Sequence, residues 1–248
     1  MELYHITRDL DSIGPKLREA FEDVPFMPWL NKSHVLKRQD HGDWSQPPFE
    51  LDENKIRQNV ERFFFDEEGR ALGPYAYPDL EPPITEATDV KELDIFRHLS
   101  FLIKTIRGMS RIKLGLYSTL HRPFYWQTPG VPFHFWHASI DDYYDWIGMS
   151  LYNRSKMSTP REKIADDLDR VKSYIDFYED GRRHGKEVMA FISGAFKDGT
   201  NQPIPMEHFE VYIKGVIRLI KEPLVFVWFG SEYDQDYANK VNFIKTLL

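Results

Sequence analysis

The sequence predicts an α/β protein folded as a TIM-like (β/α) barrel. Three observations lead there. Short apolar runs and amphipathic stretches alternate along the chain, strand then helix, which implies a parallel sheet with helices outside it. Residues able to carry chemistry gather where the apolar runs end: Asn31, Asp79 with Glu81, Tyr117, Tyr152 with Asn153, Ser193, and Trp228 with Ser231 and Glu232. Barrel enzymes collect their sites at that face. No linker or shift of composition divides the 248 residues, so residues 1–248 read as a single domain of a length that suits one barrel. The strand count comes to seven or eight, which admits a distorted, short barrel.

The elements follow in order. Leu3-Tyr4-His5-Ile6 reads as a strand and Ile13 to Phe21 as an amphipathic helix. Val24 to Asn31 reads as a buried strand running into a loop, and residues 32–50 as a long polar connection. Asp52 offers an N-cap to a helix over about 53–64, where Ile56, Val60, Phe63 and Phe64 share a stripe. Gly73 to Pro83 holds a strand. Thr88 to Gly108 repeats Leu93, Phe96, Leu99, Ile103 and Ile106 at helical spacing, with Gly108 as its stop. Ile112 to Ser118 and Trp146 to Asn153 are strands, and Pro160 to Gly181 is a helix. Glu187 to Gly194 is a strand, Pro205 to Ile220 a helix, Leu224 to Gly230 a strand, and Asp236 to Leu248 a last helix.

Composition narrows the function. The net charge of −7 disfavours a general nucleic-acid binder, which needs a basic surface. There is no cysteine, which excludes disulfides, thiolate metal sites and a cysteine nucleophile, and leaves the compartment open. No run of 18 apolar residues spans a membrane, and the first 30 residues carry acids and no apolar segment of the secretory type. Aromatic residues make up 15% of the chain, with 6 Trp, 13 Tyr and 18 Phe. Aromatic faces line carbohydrate sites, and they also fill cores, so the excess leans towards a sugar-like ligand without fixing one.

The stretch Tyr75-Ala76-Tyr77-Pro78-Asp79-Leu80-Glu81 carries the sharpest signal. Residues two apart on a strand share a side, so Tyr75, Tyr77, Asp79 and Glu81 would present two rings and two carboxyls together. Carboxyls this close raise one another's pKa, which suits one proton donor and one charged partner. Their spacing does not suit an acid and a nucleophile on opposite faces of a sugar. It suits a substrate-assisted scheme, in which an N-acetyl group on the sugar attacks and Asp79 steadies it. The same acids also read as solvated loop residues before a helix. Tyr117, Tyr152 and Trp228 could contact a sugar or fill the core, Asn31 ends its strand at the same face, and Glu232 is a second carboxylate or a surface acid.

Other constellations are weaker. His34, His41, His121, His134 and His137 are scattered, and His134-x-x-His137 lacks a third ligand at convincing spacing, so no metal and no cofactor is expected. Asn153-Arg154-Ser155 is a glycosylation sequon that its strand-end place marks as coincidental. Neither dinucleotide nor P-loop fingerprints occur, and the nucleophile elbow G-x-S-x-G is absent.

In this order the motifs resemble those of the hyaluronidase-like glycoside hydrolases, family 56 and related bacterial and phage barrels. Tyr77-Pro78-Asp79-Leu80-Glu81 matches a strand ending in Asp-x-Glu, and Leu114-Gly115-Leu116-Tyr117 a strand of the Gly-Tyr-Tyr type. Met149-Ser150-Leu151-Tyr152 matches a Pro-Ser-x-Tyr strand, and Val225 to Gly230 a Val-x-x-Trp-Gly strand. The resemblance runs from about residue 70 to the end. It implies retaining, substrate-assisted hydrolysis of a glycan bearing N-acetylhexosamine. Glu81 would be general acid and then base, Asp79 would orient the acetamido group, and Tyr117, Tyr152 and Trp228 would bind the sugar at the cleavage site; Tyr77, Glu232 and Asn31 are further substrate-binding candidates from their places on the strands. The chain departs from the family pattern at Leu80, where tryptophan is usual, and at Pro82-Pro83, where an aromatic follows the pair. Two other classes stay open: a non-catalytic carbohydrate-binding barrel of a phage or cell-surface assembly, and a metal-dependent hydrolase built on the loop histidines.

Overall fold

A computed structural model describes residues 2–7, 10–31, 34, 51–79, 100–117, 141–153, 155, 157–173, 185–197, 200, 202–227 and 233–248. In chain order the strands are β1 (Leu3–His5), β2 (Trp29–Asn31), β3 (Tyr75–Asp79), β4 (Lys113–Tyr117), β5 (Trp146–Ser150), β6 (Glu187–Ser193) and β7 (Leu224–Val227). The helices are α1 (Pro15–Phe21), α2 (Glu53–Phe64), α3 (100–109), α4 (Pro160–Ser173), α5 (Met206–Ile220) and α6 (Asp234–Leu247). Two compact units result, one of Met1–Phe26 with Met149–Leu248 and one of Met27–Gly148.

In the first unit β1 pairs with β7, and β7 with β6, all parallel. These strands are buried on both faces, as parallel strands covered by helices must be. Val188, Ala190 and Ile192 of β6 face a layer that includes Ile164, Val171, Phe209 and Val216 from α4 and α5. The two helices approach closely at Gly215, where a Cβ would come within 2.6 Å of Leu168 Cδ2. β1 makes a further parallel bridge from His5 to Phe26, and the His5 N–H donates to Pro25 O at 3.1 Å.

In the second unit β2, β3, β4 and β5 pair in that order, again parallel. α2 forms over the predicted residues. The Asp52 carboxylate accepts the Lys55 N–H at 3.1 Å, which satisfies one of the free donors of its first turn. Ile56, Val60 and Phe64 are buried on one stripe. At the amino ends of β4 and β5, Asp145 accepts the Leu114 N–H at 2.8 Å and pairs with Arg107. Arg107 also donates to the carbonyls of Tyr143 and Ile112.

Parallel strands alternating with helices establish the α/β class. Among the described residues the pairings within each unit do not close a row of strands on itself. Two expected strands are shorter than their sequences suggested. Within 24–31 only Trp29–Asn31 forms a ladder, because Pro25 and Pro28 have no N–H to give one. β5 ends at Ser150, and Asn153 is reduced to a single bridge with Phe196.

Candidate functional site

The second unit sets three of the predicted residues side by side. Asn31, Asp79 and Tyr117 are the last residues of β2, β3 and β4. The β2–β3 register pairs Asn31 with Asp79 directly. The β3–β4 register pairs Tyr75 with Lys113 and Ala76 with Leu114. Tyr117 in turn pairs with Gly148 of β5. Asn31, Asp79 and Tyr117 thus form a row of positions at the carboxyl ends of three neighbouring parallel strands. In α/β proteins that edge is where ligands bind.

The row beneath is aromatic. Trp29 pairs with Tyr77, and Gly115 with Trp146. Tyr77 is 1% exposed, and its ring meets the Trp146 indole edge to face, with centroids 5.8 Å apart and planes at 72°. Trp146 is fully buried, and its Nε1–H donates to Lys113 O at 3.1 Å. A Cβ on Gly115 would overlap this indole, so only glycine lets Trp146 lie across β4. Tyr77 is thus enclosed one row below Asp79. The sequence marked Gly115 as part of a motif but gave Trp146 no role. The available signal was a glycine in mid-strand, which marks close approach by a neighbour.

Tyr152 belongs to the first unit, two residues beyond β5, and is 8% exposed. Its neighbour Asn153 is fully buried, with neither amide atom hydrogen-bonded, so the sequon leaves no room for a glycan. Glu81, Trp228 and Glu232 lie outside the described residues, as do His41, His121, His134 and His137. His34 packs against Phe63 at 4.6 Å, and its carbonyl accepts from Asn59 Nδ2 at 2.9 Å. Among the described residues no three His, Asp or Glu side chains gather as a metal site, and no helix is long and apolar enough to cross a membrane. A polar groove of about 610 Å³ between α1 and α6, lined by Lys16, Glu19, Asp23, Asn242 and Lys245 among others, holds none of the predicted residues.

No family model matches the sequence, and no curated protein does. Solved structures do match. A crystal structure of bee venom hyaluronidase in complex with a hyaluronic acid tetramer aligns with a TM-score of 0.60 at 11% identity, over 100% of this chain and 96% of that one. A monoclinic crystal structure of the same enzyme gives 0.62 at 12% identity over the same shares. The chain has a hyaluronidase-like fold. At this identity the likeness is one of fold, and it extends over the whole chain, beyond the stretch from residue 70 onwards where the motifs place the resemblance.

Proposed function

We propose that this protein is a glycoside hydrolase that cleaves a glycan containing N-acetylhexosamine. The reading takes residues 1–248 as one (β/α) barrel. The observation that carries it is the row of Asn31, Asp79 and Tyr117 at the ends of three adjacent parallel strands in a hyaluronidase-like fold. In this scheme Glu81 protonates the leaving oxygen and then, as a base, activates water. Asp79 orients the acetamido group that attacks the anomeric carbon, and the configuration is retained. Tyr117, Tyr152 and Trp228 contact the sugar at the cleaved bond, and Asn31 and Glu232 extend the polar wall; Tyr77, expected to bind substrate, is buried against Trp146 and supports the strand instead. The bee enzyme's tetramer is hyaluronic acid. For this chain the scheme requires only the N-acetyl group, so the substrate class is wider than hyaluronan.

The test is Glu81→Gln, which keeps shape and removes the proton. Across a panel of N-acetylhexosamine glycans its kcat should fall about 10²- to 10⁴-fold with little change in melting temperature. Turnover at the parent rate would refute the assignment. Parent protein that binds panel glycans without cleaving any would instead favour the carbohydrate-binding barrel.

A further inference from the structure

We propose that Trp146 is a positioning residue that sets the carboxyl end of β3, and with it Asp79, for the reaction assigned above. The argument starts from backbone donors. Tyr77 N–H donates to Pro28 O, on the β2 side of β3. Donors alternate along a strand, so the next backbone nitrogen faces β4. That residue is Pro78, which has no N–H. The end of β3 therefore lacks one ladder bond towards β4, just before Asp79.

Side chains supply what the ladder lacks. Trp146 enters from β5, crosses β4 over Gly115, and meets both tyrosines of β3. Tyr75 lies at 6.4 Å and 89°, and Tyr77 at 5.8 Å and 72°. Its own position is fixed by the Nε1–H bond to Lys113 O and by complete burial. Edge-to-face pairs contribute beyond the area they bury, and their geometry is directional. The indole thus ties β3 to β5 across a strand that offers only a glycine between them. Trp146 acts through Tyr77, not on the substrate.

The proposal rests on the glycosidase reading for the reaction it serves, so the experiment has an arm that needs no activity. The full-length parent, Trp146→Leu, Trp146→Phe and Gly115→Ala would be compared, each checked for folding by thermal melting. The Asp79 carboxyl would be titrated by carbon-13 NMR. In Trp146→Leu its midpoint should move by about half a unit or more, because the carboxyl's surroundings shift with β3. Gly115→Ala, which displaces the indole without removing it, should do the same. Trp146→Phe keeps an aromatic edge and should move the midpoint in the same direction by less. On a glycan the parent cleaves, kcat in Trp146→Leu should fall about 10- to 100-fold with KM nearly constant, and Trp146→Phe should recover most of it. Where Trp146→Leu does not fold, the other two variants decide. An Asp79 titration that superposes on the parent's in every folded variant overturns the assignment. If the parent cleaves no glycan, the reaction is wrong and the titration still judges the platform.

Discussion

His5 shows how one buried residue couples the fold to pH. Its ring stacks on Phe21 at 4.6 Å, tilts against Phe26 at 5.6 Å, and is 3% exposed. Nδ1 accepts the Thr7 N–H at 3.2 Å, so protonating it would also break that bond. Burial lowers its pKa from 6.5 to about 4. Between those values the unfolded chain binds more protons than the folded one, so stability falls as pH drops from 6.5 towards 4. The loss from this residue amounts to at most about 3 kcal/mol. Urea midpoints at pH 7.5 and 4.5 should therefore differ less in His5→Phe than in the parent, and equal differences would show that His5 binds protons alike in the folded and unfolded chains, so that burial does not hold it uncharged. At this same scale the candidate site was partly legible. Asn31, Asp79 and Tyr117 could be placed at strand ends because polar residues that end apolar runs stand out in a sequence. Trp146 could not, because a buried tryptophan in a strand looks like any core residue until its glycine neighbour is seen to make room for it. Tyr77 could be placed on a face by alternation, but not the indole that covers it.

Elements were read best where their signals are local. α2 matches its predicted span because cap and stripe lie within its own residues. The last helix begins at Asp234, two residues before its expected start, with no side-chain cap at Tyr233 to mark the boundary. α4 begins with a capping box that fixes its start: Thr159 and Glu162 bond reciprocally, and the Thr159 hydroxyl and N–H hold the Glu162 carboxyl below its usual pKa. The end of α5 carries strain. Lys221 adopts the left-handed conformation at φ 57°, with its N–H on Ile217 O at 3.1 Å, a position glycine usually fills. Lys221→Gly should therefore stabilise the protein by about 0.5–1 kcal/mol. At this size that is a rise of about 1–4 °C in melting temperature by calorimetry. A fall would mean the lysine side chain holds α5 through a contact worth more than the strain.

At the scale of the whole molecule, sequence order and spatial order part. The first unit joins Met1–Phe26 to Met149–Leu248, a connection no local pattern could announce. Periodicity shows which faces are apolar but not which distant segment covers them. The join has an identifiable lock. α1 begins at Pro15 after Gly14, which has no side chain to cap the helix. The cap comes from α6 instead: Asp234 accepts the N–H groups of Lys16 at 3.0 Å and Leu17 at 2.8 Å. A Cβ on Gly14 would run into that carboxyl, so the glycine is required by a residue 220 positions away. β1 depends on the same region, since its ladder partner is β7, which directly precedes α6. If the lock joins these segments into one cooperative unit, native-state hydrogen exchange should give the amides of Leu3–His5 and Leu224–Val227 the same opening free energy. Asp234→Ala removes a cap and should lower both by about 1 kcal/mol. Gly14→Ala should lower both as well, through the clash. Exchange in which Asp234→Ala weakens β1 and leaves β7 at its parent value would show that the terminal segment opens by itself, and the lock would then serve only α1 and β1.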